Sequence, residues 1–236
     1  MCDSYGAIFD GHIPTPKTMK SSRPGSGSDK EALSLLTRYQ CPIPFHEVRT
    51  LFMGNIASPL PDASPMSALA QVWGGQMPEF ASADDLRGVV NVLIAGLWNR
   101  LAEHQSSRSP FRLLREEVVP TRAGLHAFAL MRQKELEGFV EGLFGSAPEL
   151  SLPEKAHRAI GILAEVRSML VGAAELLADA TKPAPAEELK DLLRNLQQVS
   201  LIAETEINKA IQSCKRARGQ HLEVMAAMPT TKEVFH

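Results

Sequence analysis

The sequence predicts an all-α protein, a multi-helix core domain followed by a long antiparallel helical hairpin. Three observations predict it. Leu and Ala abound while aromatic residues make up only 6% of the 236 residues, a bias toward side chains that lose little entropy in a helix. Apolar residues recur at spacings of three and four along most of the chain, and strand-like alternation is almost absent. Ser, Thr and Asp stand where those periodic runs begin, and Pro or paired Gly where they end.

The length suits one large domain or a core with an appendage, and it allows a substantial buried core. A formal charge of -2 gives no strong field, so neither nucleic acid nor an anionic membrane is the default partner. Cys2, Cys41 and Cys214 are odd in number and far apart. They read as reduced thiols of a cytosolic protein, not as a disulfide framework. The start lacks the charged-then-apolar pattern of a signal peptide, and the apolar stretches are too short to cross a bilayer. Cytoplasmic residence is the expectation.

Residues 1–29 are rich in breakers and poor in apolar side chains, which predicts a flexible segment. Removal of Met1 would make Cys2 a candidate N-terminal nucleophile. Enzymes of that kind seat the nucleophile on a strand of a large sheet, which this pattern does not supply.

A core domain is expected over 30–148. Ser28 or Asp29 caps a helix over Lys30–Gln40 that carries Ala32, Leu35, Leu36 and Tyr39 on one face, and Cys41-Pro-Ile-Pro44 ends it. From Pro44, a second helix sets Phe45, Val48, Phe52 and Ile56 inward before Pro59. Ser64 and Pro65 open a third, with Met66, Leu69 and Val72 inward and Gly74-Gly75 as its stop. Ser82-Ala-Asp-Asp85 caps a fourth, whose seam is Leu86, Val90, Leu93, Leu97 and Leu101. Phe111–Val119 fits a helical turn or an extended connector. Thr121 then caps a helix carrying Leu125, Phe128, Leu136, Phe139 and Leu143. On it, Gly138 and Gly142 lie one turn apart, each costing about 1 kcal/mol relative to Ala. That spacing implies close approach of another backbone, either within the fold or from a partner.

Residues 149–236 form the expected hairpin and tail. Glu154–Ala180 carries Ala156, Ile160, Leu163, Val166, Leu170, Ala173 and Leu177 on one face. Glu187–Arg218 carries Leu189, Leu192, Leu196, Val199, Ala203, Ile207, Ile211 and Cys214. Their short connection makes them antiparallel neighbours. Two helices alone bury little, so the pair must dock on the core or on a second copy.

Four segments follow one another in order: Leu51-Phe-Met-Gly-Asn-Ile-Ala-Ser-Pro59, Val72-Trp73-Gly74-Gly75 with Pro78-Glu79-Phe80, Trp98-Asn99-Arg100-Leu101 and Leu136-Glu-Gly-Phe-Val-Glu-Gly-Leu143. Their order and spacing resemble the YecA/YgfB-like family of bacterial helical proteins. The resemblance covers about residues 30–145 and implies an all-α fold with no settled activity. Some members of that family end in a small zinc module. After Cys214 this chain has only His221 and His236, with no paired Cys, so that module has no counterpart here.

A survey for chemistry finds no phosphate loop, nucleophile elbow, H-E-x-x-H pair or EF-hand loop. His46 and Glu47 are adjacent, and adjacent residues on a helix point apart. Capping accounts for Asp84 and Asp85, and His126 and His157 have no carboxylate partner in view. No catalytic residue, metal site or cofactor is expected. Trp73, Trp98, Gly138 and Gly142 are the candidate partner-binding residues, with core anchoring and helix packing as the plainer roles. Lys209, Lys215, Arg216 and Arg218 form the one basic cluster that could contact phosphates, and cations at the end of a long helix also complement its dipole. No aromatic residues interleave there to stack on bases.

The leading expectation is therefore a non-enzymatic interaction or adaptor protein, with a protein partner that includes a second copy bound through the hairpin. RNA or ribosome association through the basic helix end is the alternative, and a hydrolase the third.

Overall fold

A computed structural model of the chain describes residues 28–61, 63–179, 181 and 183–227, without the side chains of 221, 222 and 224–227. What the sequence suggests for residues 1–27, the Cys2 nucleophile included, lies outside the described residues.

The fold is all-α, as expected, with one minute β-hairpin. Ser28 and Asp29 belong to a helix start. In α1 (Asp29–Arg38) the Ser28 hydroxyl accepts the Glu31 amide at 3.2 Å while the Glu31 carboxylate accepts the Ser28 amide at 2.7 Å. Helix α2 (Phe45–Ala57) begins after Pro44, which has no donor to leave unpaired, and is buried on nearly every side. The short α3 (Pro65–Gln71) is capped by Ser64 and closed by Gly74 and Gly75, both in left-handed conformations that disfavour a Cβ. Its Ala68 and Leu69 are buried, together with Val72. Met66, expected inward, is instead 49% exposed, and the inward face of the short helix is Ala68, Leu69 and Val72.

The fourth periodic run is continuous but irregular. Helix α4 (Ala83–Val89) passes into a π-helical segment (Val90–Trp98) and then α5 (Asn99–Ala102). Leu93, Leu97 and Leu101 are buried as the spacing predicts. Leu86 and Val90 are not: Leu86 is exposed, Val90 is half-buried, and Val89 faces the core. The i→i+5 bonding of a π segment changes the angular step, so an inward stripe drawn for an α-helix slips by a residue across it.

Strands β1 (Gln105–Ser106) and β2 (Ser109–Pro110) pair antiparallel. Phe111–Val119 forms neither helix nor strand, so of the two readings of that stretch the connector holds. Thr121 caps α6 (Arg122–Phe144), and its whole expected seam is buried. Helices α7 (Glu154–Ala178) and α8 (Ala186–Ala227) follow. With 42 residues α8 is about 63 Å long and runs nine residues past Arg218, the expected end.

Helix α6 is central. It packs along α2 on one side and along α7 on the other, and α7 packs on α8, which also reaches back to α6, α2 and β1. Buried residues from Ala32 to Cys214 form one hydrophobic cluster. The hairpin therefore docks on the core through α6 and does not stand apart.

Candidate functional site

The residues singled out by the sequence are drawn into the interior to different degrees. Gly138 and Gly142 face α2. A Cβ at 138 would stand 2.8 Å from both the Glu47 carbonyl oxygen and Thr50 Oγ1, and a Cβ at 142 would overlap the Leu51 carbonyl. Gly54 of α2 answers them, since a Cβ there would overlap the Phe139 carbonyl. The close backbone approach is thus internal to the chain, and the two α6 glycines are buried. Trp73 is half-buried and its indole N–H donates to the Tyr39 carbonyl at 3.1 Å, tying α3 to the end of α1. Trp98 packs against the core from the π segment, and its buried indole nitrogen has no hydrogen-bond partner.

The basic cluster is divided. Arg218 donates to the Ile56 carbonyl at 3.1 Å, the Ser58 carbonyl at 3.3 Å and Gln105 Oε1 at 3.0 Å, so it closes the C-terminal end of α2. Lys215 donates to the Gln105 carbonyl at 3.3 Å. Lys209 and Arg216 instead line an open groove of about 380 Å3 between α7 and α8, joined there by Lys155 and Arg158. Glu206 also lines it and pairs with Lys209 at 2.6 Å, while Glu154 pairs with Arg158 at 2.5 Å. Sequence spacing does not bring Lys155 and Arg158 to this place; the antiparallel pairing of the helices does.

A buried polar strap, not legible from motifs, fixes the hairpin to the core. Arg132 is 2% exposed and pairs with buried Glu135 one turn on. Its remaining donors reach Ser200 Oγ at 3.1 Å and the Leu114 carbonyl at 2.7 Å, and its guanidinium lies 4.8 Å from the Phe128 ring centre. Glu135 accepts the Leu114 amide at 2.9 Å. From α8, buried Glu204 accepts the Leu113 amide at 3.1 Å and pairs with Arg112 and Arg115. Asn208 brackets Phe111, accepting its amide at 2.8 Å and donating to its carbonyl at 3.0 Å. A connecting segment with no sheet to join thus has its backbone groups met by side chains of α6 and α8. Burial pushes the Glu135 carboxyl up despite the neighbouring Arg132.

The protonation states argue against nucleophilic chemistry at the described cysteines. Burial pushes Cys214 up to about 11. It also raises Cys41, whose thiol donates to the Ile43 carbonyl at 3.2 Å. Both are held as thiols, whereas the reactive form is the thiolate. Burial, with Arg132 adding to it, lowers His46 to about 4. Its Nε2 is buried without a partner. Among the described residues no cluster of three or more His, Cys, Asp and Glu could hold a metal ion, and no helix is long and apolar enough to cross a membrane.

The hairpin face offers a different surface. Met169 and Leu176, two turns apart on one side of α7, are 59% and 46% exposed, and Leu201 and Ile202 of α8 are exposed as well. Leu176 also borders a groove of about 450 Å3 near the hairpin turn, with Leu177, Pro183, Leu189 and Leu192.

Fold and surface together define a helical-bundle protein with a docked hairpin. No protein-family model, curated protein or solved structure matches the chain.

Proposed function

We propose that the protein is a non-enzymatic interaction module whose hairpin face binds protein, a second copy of the chain first among its partners. The observation that carries the reading is the exposure of Met169 and Leu176 on one face of α7, with Leu176 also bordering a mostly apolar groove. Large apolar side chains grouped beside a groove mark binding surfaces more often than single exposed ones do. The resemblance of residues 30–145 to the YecA/YgfB-like proteins supports a helical scaffold and supplies no activity.

Size-exclusion chromatography with light scattering on the full chain tests it, with Met169→Glu/Leu176→Glu as the comparison. The expected result is a concentration-dependent dimer, or a captured protein, that the double variant loses. A native chain that stays monomeric at every concentration, with a pulldown set that the variant leaves unchanged, overturns the reading.

RNA binding is the second reading, and the groove that gathers Lys155, Arg158, Lys209 and Arg216 supports it. Fluorescence anisotropy with a single-stranded RNA at low salt is the test. Salt-sensitive binding that Lys155→Ala/Arg158→Ala weakens supports it, and no binding by the native chain sinks it.

A further inference from the structure

Helix α7 buries one face, Ala156, Ala159, Leu163, Val166, Leu170, Ala174 and Leu177, in its packing on α6 and α8. The opposite face has a regular pattern of its own. Arg158, Gly161, Glu165, Ser168, Gly172 and Glu175 recur at alternating steps of three and four, and all six are exposed. That is the spacing of a seam that meets another helix, and it runs for about 25 Å. Nothing stands within 4 Å of where a Cβ would lie at Gly161 or Gly172. Met169 and Leu176, 59% and 46% exposed, border the seam on one side.

The charges on this face do not suit the helix that carries them. Glu175 stands in the last turn, at the negative end of the dipole, and that turn holds no basic residue. It makes no ion pair among the described residues. At the other end, Arg158 is 71% exposed and has beside it only Glu154, itself 85% exposed. An exposed pair of that kind holds its partners weakly.

The same charges suit a second copy. A two-fold axis between positions 166 and 167 sets an antiparallel α7 so that Arg158 faces the partner's Glu175, Gly161 the partner's Gly172 and Glu165 the partner's Ser168. By symmetry each contact occurs twice. A parallel copy would instead set like charges together at 158, 165 and 175. An antiparallel copy slipped by one heptad sets Glu165 against the partner's Glu175, or, slipped the other way, Arg158 against the partner's Ser168. Only the unslipped antiparallel register joins opposite charges at both ends. The next pair outward is Glu154 and the partner's Asp179, and each carboxylate is already engaged. Glu154 has Arg158, and Asp179 accepts the Thr181 amide at 3.0 Å.

We propose that the outer face of α7 forms a two-fold contact with a second copy of this chain, antiparallel helix on helix, with Arg158 and the partner's Glu175 fixing the register at each end. It rests on the reading of the hairpin as a self-association surface, and it names the face and the register. Charge complementarity of this kind sets partner and orientation more than affinity. One helix face makes a small interface, so the dimer is weak, with a dissociation constant on the order of micromolar.

Sedimentation velocity of the full-length protein, under reducing conditions and over a range of concentrations, tests it with Arg158→Glu, Glu175→Arg and the double variant. Either single exchange sets like charges together at both ends and should raise the dissociation constant about tenfold. Mixing the two single variants should restore a dimer holding one of each, since both ends again join opposite charges. The double variant should dimerise as the native chain does. Both sites are exposed and both exchanges follow the dipole of α7, so the melting temperature of the monomer should not fall. That separates lost association from lost folding. A native dimer that the single exchanges leave unchanged overturns this register and leaves the hairpin-face reading standing. So does a weakened dimer that neither the mixture nor the double variant restores. A native chain that stays monomeric at every concentration overturns both.

Discussion

Gly142 of α6 lies flat against the Leu51 carbonyl of α2, so close that a Cβ at position 142 would occupy the oxygen's space. The obstacle is backbone on both sides, which cannot rotate away as a side chain would. Gly142→Ala is therefore expected to destabilise the protein by about 3 kcal/mol, the upper part of the overpacking range, although Ala is the better helix former. Gly172 on α7 has open space where a Cβ would stand. Gly172→Ala should stabilise by about 0.5–1 kcal/mol. Urea unfolding of both variants decides it, and equal effects at the two sites would rule out the close approach as the cause.

The Arg132–Glu135 pair makes the second prediction. Both side chains are buried, and Arg132 also serves Ser200 and the Leu114 carbonyl. Arg132→Met leaves a buried carboxyl without its cation and two acceptors without donors. Breaking a buried pair from one side costs about 3–5 kcal/mol. Arg194→Met, which removes the exposed i,i+3 pair with Asp191, should cause no measurable loss. Chemical denaturation of the two variants separates them, and a small effect at 132 would show that the strap contributes little.

How much of this was legible depends on the length scale. Seams repeat every three or four residues, so the runs of α2, α6, α7 and α8 follow from spacing, and the α6 seam is buried throughout. Phe45, Ile160, Ala173, Leu189, Leu192 and Val199 of the other expected seams are half-buried, and Ala159 and Ala174 are buried in their neighbourhood instead. The Ser64 and Thr121 caps follow from chemistry that spans three residues. The pair Gly138 and Gly142 announced a close contact, but not that Gly54 would answer it from α2. The π segment was invisible because its sequence, Val90–Trp98, is as apolar as any helix, and its slip in register comes from packing. The strap was hidden differently. Arg132 and Glu135 stand on the same face as Phe128 and Phe139, as Ser200 and Glu204 do with Leu196 and Ile207. Charged residues inside an apolar seam are the signal, and their partners on 111–115 lie too far along the chain for any spacing rule.

Asn208 carries the third prediction. Its side-chain amide makes the pair of bonds to Phe111 that a neighbouring strand would otherwise make. Asn208→Ala removes both and leaves the segment held by Glu204 and Glu135 further along. Global stability should fall by about 1–3 kcal/mol, the cost of leaving buried backbone groups unpaired. The Phe111 amide should lose its protection sooner than amides at the centre of α6 do. Hydrogen exchange read by NMR tests this, and unchanged protection at Phe111 would mean that Asn208 does not hold the strap.

His46 gives the last prediction, a dependence on pH. Its folded pKa is lowered from 6.5 to about 4, first by burial and then by the positive charge of Arg132. The unfolded chain therefore binds a proton in a range where the folded chain refuses it. The stabilisation is complete above about 6.5 and is lost as pH falls toward 4. The full shift corresponds to about 3 kcal/mol, and partial solvent access at the ring reduces the expected loss to about 1–2 kcal/mol. Other groups titrate in different windows. Burial raises Glu47 and Glu135, whose contribution is present at low pH and declines as pH rises through their raised values. Burial opposes the ionisation of Glu137, but hydrogen bonds from Gln133, Lys134 and Arg167 outweigh it and lower its pKa to about 2. Its stabilisation is lost only below about 4.5. His46→Gln keeps a polar side chain of similar size that cannot take up a proton. Urea midpoints measured from about pH 7 down to about pH 4 should fall steeply in the native protein and with a shallower slope in the variant. Parallel slopes in the two proteins would assign the acid sensitivity to other groups.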